Sequence, residues 1–361
     1  MKKTKVLIFN PKLTNGGISK IVSDYIRFMD DDICVELMTL KKENDIYYKD
    51  LDINIYEVSL SKNIFKRIYK EYKIIKKSNP DIVHINGDYV SRIVECISSK
   101  MANVKKIIIH SHSNGVISDS NFKKIIQKRL KFLFNYFCDE YLACSRSAAE
   151  YMFSKKIIKD KRFKIVKNGI DVSKFKFNEN VRNMLRKKYK VENNFVIGNV
   201  GRFNKEKNHD FLIDVFLECK KKNNKCILLI IGTGVLEDNI RSKVKKLGID
   251  KDVIFLKNIN NVYDYYNMMD IFVLPSYFEG LGIVNIEAQT NGLKVITSTN
   301  VPIEAKVSKN IDFLSLNDGE KNWANKILLK NNIDRKNSYM DTISYGYDIK
   351  SSVNKLKKIY R

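Results

Sequence analysis

Short apolar runs alternate with amphipathic stretches along this chain, and the series runs twice. Val6–Phe9, Val35–Thr39, Ile82–Ile85, Lys106–Ile109, Glu140–Ala143 and Lys164–Val166 read as strands, with helical patterns such as Ile18–Met29 and Ile64–Lys77 between them. Alternation of this kind predicts a parallel sheet covered on both faces. Residues 174–194 break the rhythm with polar, charged sequence and read as a connector containing a helix. A second series follows, with strands at Phe195–Val200, Cys226–Ile231, Val253–Leu256, Ile271–Pro275 and Lys294–Thr297 and helices at His209–Lys222, Leu236–Leu247 and Ile283–Thr290. The expected fold class is α/β, in two doubly wound halves. Two halves suit 361 residues, too many for one ordinary core. The tail "SSVNKLKKIYR" reads as a basic amphipathic helix.

Composition narrows the function only in part. Hydrophobic residues make up 44% and only four prolines occur, so both halves can pack as globules with no Pro-rich linker. The six cysteines show no C-x-x-C pair and no zinc spacing. They read as reduced, mostly buried thiols of a reducing cytoplasm. The run Val6–Phe9 is too short for a signal peptide, and no apolar stretch is long enough to span a bilayer, so a soluble or peripheral protein is expected. A net charge of +25 attracts nucleic acid, anionic lipid or a polyanionic ligand, and by itself does not choose among them.

In open α/β sheets ligands bind beyond the carboxyl ends of the strands, so chemistry is expected in the strand-to-helix loops. "NPKLTNGGISK" puts Gly16 and Gly17 ahead of a helix, where bare backbone N–H groups can approach an anion; an ordinary glycine turn uses the same pair. "IIIHSHSNG" places His110 and His112 at a strand end. They are expected on opposite sides of the strand, and so not to act as a pair. "GRFNKEKNH" gathers Arg202, Lys205 and Lys207 between a strand and a helix. An arginine fork and lysine point charges suit a diphosphate, although a solvated basic loop has the same composition. Each charge-assisted bond there is worth roughly 1.5–3 kcal/mol.

The fourth loop is "YFEGLGIVNIEAQ", in which seven residues separate Glu279 from Glu287. Glu287 lies about one turn inside a helix that starts near Ile283, and Glu279 lies before it. The two carboxylates are therefore not stacked on one helical face, which argues against an acid/base pair. Between them the backbone N–H groups of 280–284 form an anion-accepting helix start. A carboxylate repels phosphate but accepts hydrogen bonds from sugar hydroxyls. The stretch reads as a place for a sugar, a phosphate and a second sugar in a row. Two other motifs are set aside. "LLIIGTGVLED" has Glu237 at the third glycine position of a dinucleotide fingerprint, so NAD binding is not expected. "DLD" at 50–52 has no supporting cluster and reads as surface.

Together these residues resemble the family 4 retaining glycosyltransferases of the GT-B fold, most closely bacterial enzymes that build capsular, exo- or O-antigen polysaccharides. The likeness rests on "NGGISKIVSDYIRFM", "IIIHSHSN", "YLACSRSAAEYMF", "IVKNGID", "VGRFNKEKNHDFLIDVF", "IIGTGVLEDNI", "MMDIFVLPSYFEGLGIVNIEAQTNGLKVI" and "WANKI", and reaches to about residue 328. It implies two Rossmann-like domains facing a central cleft. Residues 1–172 would form the acceptor-side domain, 173–345 the nucleotide-sugar domain, and 346–361 a helix packing back on the first. Arg202 and Lys207 would bind the donor diphosphate, and Glu279 the donor sugar. Gly280, Leu281, Gly282 and Ile283 would meet sugar and phosphate, Glu287 the ribose, and His112 (rather than His110) the transferred sugar. Gly16 and Gly17 would line the opposite wall. Gly282, Lys294 and Lys257 depart from residues common in relatives, and Lys257 leaves the base open. The implied reaction is metal-independent, cofactor-free transfer with retention, from a UDP-linked hexose or N-acetylhexosamine to a lipid-linked or oligosaccharide acceptor.

Two basic amphipathic stretches, 61–77 and 122–137, fit attachment to the inner face of the cytoplasmic membrane, or equally two ordinary domain helices with solvated lysines. The competing class is a basic nucleic-acid- or polyanion-binding protein without transferase activity. No nucleic-acid-binding module is evident, so nucleic acid is not an expected partner.

Overall fold

The computed structural model describes residues 3–14, 16–43, 46–59, 61, 63–112, 121–329 and 334–361, with the side chains of 121–124 also outside it. Asn15 of the first glycine loop, residues 113–115 of the histidine stretch and the side chains of Phe122, Lys123 and Lys124 thus lie outside the described residues. The chain divides into two compact units, Met1–Ile170 with Gly346–Arg361, and Asp171–Tyr345.

The first unit holds seven strands: β1 (Thr4–Phe9), β2 (Ile33–Thr39), β3 (Ile55–Glu57), β4 (Ile82–Asn86), β5 (Lys106–Ser111), β6 (Glu140–Ala143) and β7 (Phe163–Ile165). They lie in the order β3-β2-β1-β4-β5-β6-β7, and every pairing is parallel. The pleat feeds two cores. Leu7, Phe9, Val83, Ile85, Ile107 and Ile109 face one side. Val6, Ile8, Ile82 and Ile108 face the other, where the terminal helix Ile349–Tyr360 buries Ile349, Val353, Leu356 and Ile359.

The second unit repeats the plan with β8 (Phe195–Val200), β9 (Cys226–Ile231), β10 (Val253–Leu256), β11 (Ile271–Leu274), β12 (Lys294–Ser298) and β13 (Ile311–Leu314), ordered β10-β9-β8-β11-β12-β13. Stretch 174–194 contains the helix Glu179–Lys188, whose Arg182 and Arg186 both clasp Asp270 just ahead of β11. In each sheet the strand order reverses beside the first strand, between β1 and β4 and between β8 and β11. The carboxyl ends there are the ligand positions of such sheets.

Two local expectations need correction. Strands β3 and β13 have no counterpart in the sequence reading; both are short edge strands, only partly buried, so their apolar signal is weak. The segment 122–137 is not one helix but Asn121–Leu130, a tight turn at Lys131–Leu133, and Phe134–Phe137. The 3₁₀ turn resets the helical phase, so Phe134 is buried while Ile125, Leu130, Phe132 and Tyr136 are exposed. The cysteines are mostly buried thiols, as read: five are buried and Cys34 is exposed.

Candidate active site

In the second unit the two loops after β8 and β11 are tied together. The Tyr277 backbone N–H donates to the Glu206 carbonyl at 2.8 Å. Asn204 caps the turn Lys205–Lys207, its side chain accepting from the Lys207 backbone N–H. That aims the Lys207 side chain back over Gly201, where an added Cβ would sit 3.2 Å from Lys207 Cδ. Lys207 Nζ then meets Glu279 Oε1 at 2.5 Å, and the Ser276 hydroxyl donates to the same oxygen at 2.7 Å. Arg202 and Lys205 are exposed on the same loop.

After Glu279 the chain turns through Gly280, Leu281 and Gly282. Gly282 has φ +73°, a conformation that favours glycine, and is the N-cap of the helix Ile283–Thr290. With no side chain at the cap and no acidic residue in the first turn, the first N–H groups of this helix are open to an anion. The helices starting at Glu179, His209, Glu237 and Val262 all carry an acid there. Leu281 is buried, and Gly280 and Ile283 are half-buried. One turn into the helix, buried Glu287 accepts from the Tyr266 hydroxyl at 2.7 Å. Burial and the Glu287 charge both push the Tyr266 hydroxyl pKa well up, so this tyrosine remains a donor.

The G-x-G motif after β9 has a packing role. A Cβ on Gly232 would lie 1.9 Å from the Gly201 carbonyl oxygen, so the glycine lets the β8 and β9 loops touch. "DLD" is surface, as read: Asp50 forms an exposed ion pair with Arg27, and Asp52 is exposed.

In the first unit, half-buried Gly16 caps the helix Gly17–Arg27 with no side-chain cap and no acid in its first turn. Gly17 is exposed, with open space where a Cβ would be. His112 follows β5 directly. Its ring lies between two asparagines, Nδ1 at 2.9 Å from Asn168 Oδ1 and Nε2 at 2.7 Å from Asn86 Oδ1. Its backbone N–H donates to Asp88 Oδ1 at 2.8 Å. Burial lowers the imidazole pKa, although Asp88 opposes this. The expectation that His110 and His112 point to opposite sides is wrong. Residues two apart in an extended strand share a face, and the two rings lie 4.0 Å apart, centroid to centroid.

Sequence reasoning missed Tyr266, Ser276, Asn86, Asp88 and Asn168. Asn86 and Asp88 follow β4 at the switch point, and the strand-end rule applied to "HINGD" reaches them. Tyr266 sits mid-helix in an aromatic run and carries no local signal.

The family model "Glycosyltransferase Family 4" matches residues 16–174, and "Glycosyl transferases group 1" matches 181–345. The chain thus belongs to the family 4 glycosyltransferases of the GT-B fold. Its type is that of bacterial polysaccharide biosynthesis, so the reading without transferase activity falls away. The capsular polysaccharide biosynthesis glycosyltransferase CapH of Staphylococcus aureus is 27% identical over 366 residues, covering 99% of this chain and 98% of that protein. The UDP-Gal:alpha-D-GlcNAc-diphosphoundecaprenol alpha-1,3-galactosyltransferase of Escherichia coli is 27% identical over 323 residues, covering 84% and 80%. Among solved structures, Anabaena HepE in complex with UDP and glucose has a TM-score of 0.79 at 16% identity, covering 99% of both chains.

Proposed function

We propose that this glycosyltransferase moves a hexose or N-acetylhexosamine from a UDP-linked donor to a lipid-linked acceptor of a growing surface polysaccharide, with retention and without a metal. The observation that carries the reading is the Lys207–Glu279 contact beside the glycine-started helix. It sets a cation, a hydroxyl acceptor and open N–H groups side by side. Lys207 and Arg202 take the diphosphate, Glu279 the transferred sugar, the 280–283 backbone sugar and phosphate, and Glu287 the ribose. His112 serves the transferred sugar, and Gly16 and Gly17 the donor. Support for UDP comes from HepE, solved with it, and for a lipid-linked acceptor from the diphosphoundecaprenol substrate in the name of the E. coli relative.

In the transfer the acceptor oxygen bonds to the anomeric carbon on the face the diphosphate leaves. The bond from that carbon to the phosphate oxygen breaks, and the acceptor proton passes to a phosphate oxygen. UDP departs with its charge met by Lys207, Arg202 and the helix start, so the protein supplies position and positive field rather than a nucleophile. Donor binding draws Lys207 from Glu279 onto phosphate and frees Glu279 for sugar hydroxyls.

The expected result of a thermal-shift panel of UDP-, GDP- and ADP-sugars is stabilisation by the UDP series alone. No shift with any series removes this reading. Turnover unchanged by EDTA and an anomeric configuration kept in the product, read by NMR, test the other two parts.

Among the described residues no helix is long and apolar enough to cross a membrane. Ile64, Phe65 and Tyr69 are exposed at the start of the helix Ile64–Ser78, among Lys66, Lys70 and Lys73. We assign this face to anionic lipid. Binding to anionic but not neutral liposomes, lost at high salt, is the expected outcome.

A further inference from the structure

Three of the chain's four histidines form a buried row behind the carboxyl ends of β4 and β5, and the row ends on the last helix. The Tyr360 hydroxyl is 2.5 Å from His84 Nδ1, and His84 Nε2 is 3.2 Å from His110 Nδ1. The His110 ring in turn lies on His112. Burial lowers the pKa of all three, His84 to about 3, so each ring is neutral at neutral pH, with one donor and one acceptor nitrogen.

A phenol O–H is a stronger donor than a neutral imidazole N–H, and this gives the row a direction: with the Tyr360 O–H donating to His84 Nδ1, the His84 proton is on Nε2 and is donated to His110 Nδ1. The His110 proton is then on Nε2. That nitrogen has no hydrogen-bond partner among the described residues, while the Val166 backbone favours the protonated ring and burial outweighs it. At His112 the same logic applies. The Asn86 amide N–H₂ is taken by the Phe9 carbonyl at 3.2 Å, so Asn86 presents oxygen and His112 donates from Nε2. Nδ1 of His112 must then accept, and the Asn168 amide turns its N–H₂ towards it; the two ends of an amide are nearly isosteric.

The terminal helix reaches His112 by a second route. The Ser352 hydroxyl donates to the Lys167 carbonyl at 2.8 Å, with the Tyr25 hydroxyl on the same oxygen at 3.1 Å. Gly169 is pressed so close that an added Cβ would lie 2.8 Å from Ile349 Cα. The segment carrying Val166 and Asn168 is thereby clamped against the helix.

We propose that the terminal helix Ile349–Tyr360 is part of the transferase site: Tyr360, through His84 and His110, and Ser352, through the Lys167 carbonyl, are positioning residues that set the orientation of the His112 ring. The inference rests on the assignment of His112 to the site, but its test uses substrate-free protein and reads independently of turnover.

The full chain, labelled with ¹⁵N-histidine, has only four histidines to resolve. At pH 7.5 His84, His110 and His112 are each expected as the Nε2–H tautomer, with slowly exchanging ring protons. A charged ring or an Nδ1–H tautomer at His84, His110 or His112 overturns the proposal. Tyr360→Phe is expected to speed exchange of the His84 Nε2–H at least ~10-fold, as for the loss of a bond worth about 1.4 kcal/mol, and to move the His110 and His112 ring signals. Unchanged His112 signals overturn it. The control is Lys357→Ala with Arg361→Ala, which removes ion pairs of the same helix to Asp30 and Asp32 without touching the row. Wild-type His112 signals in this control are the expected result. If the control moves His112 as far as Tyr360→Phe does, general attachment of the helix is responsible, and the role given to the Tyr360 hydroxyl is wrong.

Discussion

Glu279 and Glu287 are alike in sequence and unlike in surroundings. Glu279 is met by a lysine and a serine hydroxyl, Glu287 by a tyrosine hydroxyl. Tyr266→Phe strips Glu287 of that donor without changing the packing shape. The expected cost is about 1–3 kcal/mol of stability, with a smaller UDP-dependent thermal shift because Glu287 loses one of the contacts that orient it. Urea unfolding and the shift assay measure both. Lys207→Ala is expected to lower turnover by about 10²–10³-fold, the effect of losing one charge-stabilising group, and to abolish most of the UDP shift.

His209 gives a pH prediction. It is buried, both ring nitrogens lack partners, and the ring stacks on Phe203 at 4.5 Å. Burial, then the Lys207 charge, lowers its pKa from 6.5 to about 4. Between those values the unfolded chain binds more protons than the folded one. The contribution of His209 is therefore present in full above about pH 6.5 and is lost as pH falls towards 4. His209→Phe keeps the stack and removes the titration. Between pH 7.5 and 5 the variant is expected to gain roughly 2 kcal/mol on the wild type, measured by urea unfolding at each pH.

Elements set the tolerance of the glycine loops. Gly232 touches the Gly201 carbonyl, so Gly232→Ala forces the β8 and β9 loops apart and is expected to cost more than about 3 kcal/mol. Gly17 begins a helix with open space around it, and Gly17→Ala is expected to leave stability unchanged or raise it by up to about 1 kcal/mol. Loss of turnover in a fully stable Gly17→Ala then reports substrate at that helix start. The strands that escaped sequence reading, β3 and β13, are two of the four sheet edges; every central strand was read. Central strands are covered on both faces and announce themselves as apolar runs, whereas edges are half-wet and carry mixed sequence. The break of the helix within 122–137 was hidden for another reason. Apolar spacing there satisfies a continuous helix, and only packing of Phe134 into the core selects the tight turn before it.

At the scale of the molecule, the last helix belongs to the first unit although 175 residues of the second intervene, Asp171 to Tyr345. It buries Ile349, Val353, Leu356, Ile359 and Tyr360. Each such side chain contributes about 1.5–3 kcal/mol. A chain ending before Ile349 is expected to lose the calorimetric transition of the first unit while keeping that of the second.

Local sequence was enough for eleven of the thirteen strands and for which loops carry cations, glycines and carboxylates. Periodicity and backbone preference are properties of neighbouring residues, so one-dimensional reading reaches them. Tertiary structure alone decided that Lys207 meets Glu279, 72 positions away, and that Tyr360 meets His84 across 276. Those meetings depend on which strands lie side by side and which face each residue takes, and strand order is set by burial of the whole sheet rather than by any short stretch.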